Sequence, residues 1–175
     1  MEIKAIETVY KGYRMRSRLE ARYAVLFDAL NIKWEYEKEG YDLGKFGWHL
    51  PDFWIPNDHP IYGDGGCWVE IKGSKPNDHE KMIAMKLAEV TKSVTFIAYG
   101  LPGENPLLWY DRSGAVFSGE NSCLFSSMIP EIANIAPLFC RNMMCGMNWM
   151  DIGKAIKAAK QSRFEHGQFG SPSEW

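Results

Sequence analysis

The sequence lacks any apolar run of membrane-spanning length and any signal-peptide pattern, which predicts a cytoplasmic chain that meets no membrane. It has no internal repeat and no low-complexity tract, so solenoid and disordered-linker architectures are excluded. An excess of charge of one sign is also missing. The formal net charge is −2, so the chain as a whole is no polyelectrolyte binder, and any nucleic-acid contact must be local. Cysteine is scarce: Cys67, Cys123, Cys140 and Cys145. Cys140 and Cys145 stand close together, but only Cys123 and the distant His166 remain to complete a zinc site. Free thiols in a reducing compartment are the expectation.

What is present fits one folded domain. The length of 175 residues is enough to bury a core without staples, and 14% aromatic content argues against disorder. Basic residues gather at Lys11, Arg14, Arg16, Arg18 and Arg22, against the single acid Glu20. This is either a solvated helix face or a local phosphate-binding patch.

Hydrophobic spacing predicts a helix from about Ser17 to Asn31, with Leu19, Tyr23, Leu26, Phe27 and Leu30 on its buried side. Ser17 and Glu20 have capping-box spacing, which gives Glu20 a structural role to weigh against a functional one. The alternation in Ile32–Glu37 predicts a strand, Trp48–Ile55 a second and Cys67–Lys72 a third, with a long loop over 57–66. Asn77 and Glu80 cap a further helix, with Ile83, Leu87 and Val90 as its apolar face. Ser93–Tyr99 reads as a central strand. Helix, three strands, helix and strand make an α/β fold with a mixed sheet flanked by helices. Beyond Gly100 a hairpin over 107–118 and a basic helix over 151–165, bearing Lys154, Lys157, Lys160 and Arg163, are expected. The predicted division is a core over 1–100 and a C-terminal hairpin and helical extension over 101–175 packed on it.

The chemistry gathers on Asp52, Glu70 and Lys72. Residues of a strand alternate faces, so Glu70 and Lys72 share one face while Cys67, Val69 and Ile71 point into the core. Two acids and a lysine at one end of a hairpin suit a hard divalent ion beside a phosphate. Mg²⁺ prefers oxygen ligands, keeps waters next to one or two carboxylates, and activates water while neutralising phosphoryl charge. Asp52, Glu70 and the backbone carbonyl of Ile71 are the candidate ligands, and Lys72 is the candidate charge or base beside them. The competing structural reading is a turn carboxylate at Asp52 and a surface salt bridge between Glu70 and Lys72, worth little. His49 stands beside the motif, and Tyr13 and Trp48 are aromatics with the option of stacking on bases.

Pro51-Asp52 followed by Glu70-Ile71-Lys72 resembles the PD-(D/E)XK motif of restriction-endonuclease-like nucleases. Arg16–Glu20, Ile32–Glu37, Pro51-Asp52-Phe53 and Val69–Gly73 are similar, in order and spacing, to blocks of phage endonuclease-I type Holliday-junction resolvases. The resemblance covers about residues 13–75. Leu50 stands where such resolvases often have Thr, and the segment from Asp52 to Glu70 is longer. The resemblance implies a restriction-endonuclease-like core (α-β-β-β-α-β). It also implies metal binding by Asp52 and Glu70, catalysis by Lys72, and a second-metal role for Glu20. The implied activity is Mg²⁺- or Mn²⁺-dependent hydrolysis of DNA, with branched DNA favoured, in a phage-encoded enzyme of the host cytoplasm acting as a homodimer. Lys11, Arg14, Arg16, Arg18 and Lys75 are the candidate DNA contacts. Two alternatives are kept: a site-specific homing or restriction-like endonuclease, and a non-catalytic DNA- or protein-binding protein on a nuclease scaffold.

Overall fold

The computed structural model describes residues 6–56, 65–118 and 149–164. Its strands are β1 (Thr8–Tyr10), β2 (Tyr13–Met15), β3 (Glu35–Tyr36), β4 (Tyr41–Asp42), β5 (Trp48–His49), β6 (Phe53–Pro56), β7 (Gly66–Lys72), β8 (Val94–Tyr99), β9 (Leu108–Tyr110) and β10 (Val116–Ser118). Its helices are α1 (Arg18–Ala29), α2 (Asp78–Thr91) and α3 (Trp149–Gln161). The main sheet has six strands in the order β10-β9-β8-β7-β6-β3. β7 and β8 are parallel and every other pair in the sheet is antiparallel, so this is a mixed α/β sheet.

Helices cover both faces because the central strands are apolar on both. Phe53, Ile55, Cys67, Val69, Phe96 and Trp109 pack in one core with Tyr23, Phe27, Ile152 and Ile156 of α1 and α3. Trp54, Trp68 and Leu87 form a cluster on the α2 side, where Ala84, Ala88, Ile97 and Tyr110 form another. β9 and β10 extend the same sheet as the motif strands, and α3 lies against α1.

α1 starts where expected. Ser17 Oγ accepts the Glu20 N–H at 3.2 Å. It stops at Asn31, whose φ of 53° turns the chain out. The N–H groups of Asn31 and Ile32 then close on the carbonyls of Asp28 and Phe27 at 2.9 and 2.8 Å. This closure shortens the predicted strand. Ile32 is buried behind the helix and Trp34 Nε1 donates to Asp28, so only Glu35–Tyr36 pair with the sheet. α2 has the predicted capping box, with Asn77 and Glu80 each accepting the other's N–H. Its buried face differs: Ala84, Leu87 and Ala88 face the sheet, while Val90 is exposed.

Two hairpins depart from the expectation. The first residues form β1 and β2 around Lys11 and Gly12, both at positive φ, as a two-residue hairpin turn requires. Trp48–Ile55 is not one strand. Trp48 and His49 pair with β4 in a separate two-stranded sheet, and the chain joins the main sheet only at Phe53. Pro51 lies in the break, where it has no N–H for a ladder. Cys123, Cys140, Cys145, His166 and most of the 57–66 loop lie outside the described residues; Cys67 is a buried free thiol.

Candidate active site

β6 and β7 run antiparallel with Phe53 opposite Val69, and Glu70, Ile71 and Lys72 continue beyond the last pair. Continuing that register would set Pro51 opposite Ile71. Residues paired by hydrogen bonds exchange both N–H and C=O with the same neighbour. Pro51 cannot donate, so the Ile71 carbonyl receives no ladder bond from it. The Ile71 N–H is taken instead by the Asp52 side chain, donating to Oδ2 at 2.7 Å. Asp52 is thereby drawn in beside the strand that carries Glu70 and Lys72.

Both acids are buried, Asp52 at 3% exposure and Glu70 at 2%. Glu70 accepts from Lys72 Nζ at 2.9 Å on Oε2 and faces His49 Nε2 at 2.7 Å on Oε1. Asp52 Oδ1 accepts from the Arg16 guanidinium, which also bridges to Glu37 at 2.9 Å. Burial, reinforced by the negative charge of Glu70, pushes the Asp52 carboxyl up to about 8, against the opposing pull of Lys72 and Arg16. Burial also acts on Glu70, but the His49 hydrogen bond and the Lys72 charge overcome it and hold Glu70 below the usual carboxylate range. Burial alone would lower Lys72, yet the charges of Glu70 and Asp52 hold its ammonium pKa above the ordinary value. Burial and Glu70 thus work against an ionised Asp52, while the surrounding partners favour an ionised Glu70 and a charged Lys72.

Glu20 lies at the start of α1, 6% exposed, within electrostatic reach of Asp52. Its carboxylate already has three donors: the Ser17 hydroxyl at 2.7 Å, the Arg16 N–H at 3.0 Å and the Tyr36 hydroxyl at 2.5 Å. The capping relationship with Ser17 exists, but Glu20 returns to the Arg16 N–H rather than to that of Ser17. Among the described residues no group of three or more His, Cys, Asp or Glu side chains gathers to hold a metal.

The basic residues divide. Arg16 belongs to the carboxylate cluster. Lys11 pairs with Asp28 at 2.8 Å, at the other end of α1 from Glu20 and about 12 Å along the helix. Arg14 pairs with Glu7, Arg18 is half-buried, and Lys75 is exposed. Lys154, Lys157 and Arg163 are exposed, although Arg163 follows the end of α3. Tyr13 is packed against Trp34 and Tyr36, while Trp48 is 73% exposed. Among the described residues no helix is long and apolar enough to cross a membrane.

His49 and Arg16 are the residues whose place in the site the sequence did not disclose. The only signal was their position beside Asp52 and Glu20 in sequence. Comparison of the chain with protein-family models, curated proteins and solved structures gives no match.

Proposed function

We propose that this chain is a metal-dependent DNA endonuclease of the restriction-endonuclease-like, PD-(D/E)XK class. The observation that carries the reading is the burial of Asp52 and Glu70 within electrostatic reach of each other, with Lys72 on Glu70 and the Ile71 backbone on Asp52 at the same strand end. Buried acids cost stability unless they are paired or hold a cation, and perturbed carboxylates gathered at one point mark candidate functional sites. The element order α1, β3, β6, β7, α2, β8 supports the same reading, because it follows the helix, three strands, helix, strand order of that core.

The donor set fits Mg²⁺ or Mn²⁺. Asp52, Glu70 and the Ile71 carbonyl would hold the ion, with Glu20 placed to reach a second only by sharing its present donors. The bound ion would supply an activated water and neutralise phosphoryl charge. Lys72, mounted two residues from Glu70, presents a fixed positive charge to the non-bridging oxygens of a DNA phosphate. The Ile71 N–H aims the Asp52 carboxylate, and the β7–β8 pairing keeps Glu70 and Lys72 in register.

Branched DNA, the four-way junction above all, is the substrate this reading favours. A homodimer is the expected form, since one site serves one strand at a time. Incubating the protein in Mg²⁺ with a four-way junction, linear duplex and single strands tests it. Paired symmetrical nicks in the junction support a resolvase, cutting at one duplex sequence supports a site-specific enzyme, and no cutting of any substrate contradicts the proposal.

A second reading has an observation of its own. Arg16 already pairs with Asp52, and Glu70 has partners on both oxygens, so the cluster is satisfied without an ion. A scaffold that binds DNA or protein without cutting would look the same, and would fail to bind Mn²⁺ in a calorimetric titration with and without DNA.

A further inference from the structure

We infer that His49 is a positioning residue for Glu70, fixing the carboxylate in the orientation that a divalent ion meets. The inference rests on the metal-dependent reading above and extends it to a residue outside the Asp52, Glu70, Lys72 set. His49 is 21 residues from Glu70 in sequence, yet its Nε2 lies 2.7 Å from Glu70 Oε1. An ionised carboxylate only accepts, so the imidazole donates in this contact. Lys72 holds the other oxygen at 2.9 Å, so both oxygens of the carboxyl group are engaged by donors. Each oxygen keeps a further lone pair with which to meet an ion.

The mounting of His49 is built for fixed placement. β5 is paired to β4, with His49 opposite Tyr41 and Trp48 opposite Asp42. The Trp48 ring lies across Gly40 so closely that a Cβ there would stand 2.5 Å from Nε1. The Trp48 ring thus packs on the backbone of the residue before β4. The hairpin's break from β6 at Pro51 lets His49 reach Glu70 from outside the main sheet. Direct ligation through Nε2 is not what the geometry offers, since that nitrogen is engaged by Glu70 at 2.7 Å. The role that remains is orientation of a ligand, the kind of outer contact whose loss typically weakens metal binding about 10–100-fold.

The test is Mn²⁺ titration by calorimetry on the full chain, for wild type, His49→Ala and His49→Gln, with a melting curve for each and an electron-spin-echo spectrum of the Mn²⁺-loaded wild type. Glutamine can donate an amide N–H to Glu70 at similar reach. His49→Ala is expected to weaken Mn²⁺ by about 10–100-fold. His49→Gln is expected to recover most of that loss, and the spectrum is expected to lack ¹⁴N coupling. If His49→Ala loses its cooperative melt, His49→Asn, too short to reach Glu70, takes its place in the comparison. Unchanged Mn²⁺ affinity in the folded short variant overturns the inference and leaves the metal site standing. Strong ¹⁴N coupling overturns it in favour of direct ligation. Absence of Mn²⁺ binding in wild type removes the metal site and the inference together.

Discussion

The backbone N–H of Ile71 donates to Oδ2 of Asp52 at 2.7 Å. This bond replaces the one that Pro51 would accept in a regular ladder, and it joins the two halves of the motif. Asp52→Ala leaves a buried N–H unsatisfied as well as removing a candidate ligand. It is therefore expected to lower stability by about 1–3 kcal/mol in addition to abolishing cleavage. Asp52→Asn keeps an acceptor, so it should abolish cleavage with the fold intact. Denaturant titration beside the cleavage assay separates the two effects.

The raised Asp52 pKa has a consequence for stability. In the folded protein the carboxyl holds its proton up to about 8, against an ordinary value of 3.8. Between those values the folded state binds more protons than the unfolded state, so this group's contribution to stability is full at low pH and is lost as pH rises. Glu70, held low, acts in the opposite sense and loses its contribution as pH falls. Asp52→Asn stays neutral throughout. In EDTA its melting temperature is expected to gain on wild type between pH 5 and pH 8, by about 2–4 °C for each 1 kcal/mol. A gap that is constant with pH would mean that Asp52 is ionised in the folded protein across this range.

Arg16 pairs with the same carboxylate and pulls its pKa down. Removing the guanidinium should leave Asp52 protonated to higher pH. Since a metal needs the carboxylate, Arg16→Ala is expected to move the pH midpoint of Mn²⁺ binding upward. Calorimetric titrations from pH 6 to 9 check the direction, and a downward shift would count against the pairing.

Ser17 accepts the Glu20 N–H and donates to its carboxylate. Ser17→Ala removes both contacts and is expected to cost about 1 kcal/mol, read by denaturant titration. The cap is legible from the Ser-x-x-Glu spacing, as is the Asn77–Glu80 box of α2. β7 and β8 are legible too, because strands buried on both faces read as apolar runs whatever packs on them. Pro51-Asp52 and Glu70-x-Lys72 are short local signals, but Asp52 comes beside β7 through its bond to the Ile71 N–H, 19 residues away in sequence.

Other parts depend on contacts distant in sequence. His49 reaches Glu70 only because Pro51 breaks the strand and β5 pairs with β4. Nothing in the alternation of Trp48–Ile55 marks that break beyond the proline itself. Arg16 reads as one of five like charges, and only the fold shows that Asp52 and Glu37 claim it. The β1–β2 turn puts Lys11 in a left-handed conformation that favours Asn or Gly, so the usual hairpin signal is missing. α2 buries Ala84 and Ala88 beside the expected Leu87, because small side chains let the helix sit close to the sheet.

Lys75 is exposed just beyond the motif strand and is a candidate phosphate contact. Lys75→Ala is expected to weaken DNA binding about equally for all sequences and to reduce the slope of log affinity against log salt by about 1. Fluorescence anisotropy over a salt series measures it; an unchanged slope would place the DNA elsewhere.

The central claim is that Asp52, Glu70 and Lys72 form a metal-dependent cutting site. The most direct measurement is cleavage of a labelled four-way junction in Mg²⁺ by wild type and by Lys72→Ala, each repeated with EDTA. Lys72 is a quarter exposed and Glu70 keeps its His49 contact without it, so Lys72→Ala is expected to be destabilised but still folded. The account predicts nicking by wild type in Mg²⁺, none in EDTA, and none by Lys72→Ala although it still melts cooperatively. Equal nicking by wild type and Lys72→Ala, or nicking that survives EDTA, would contradict it.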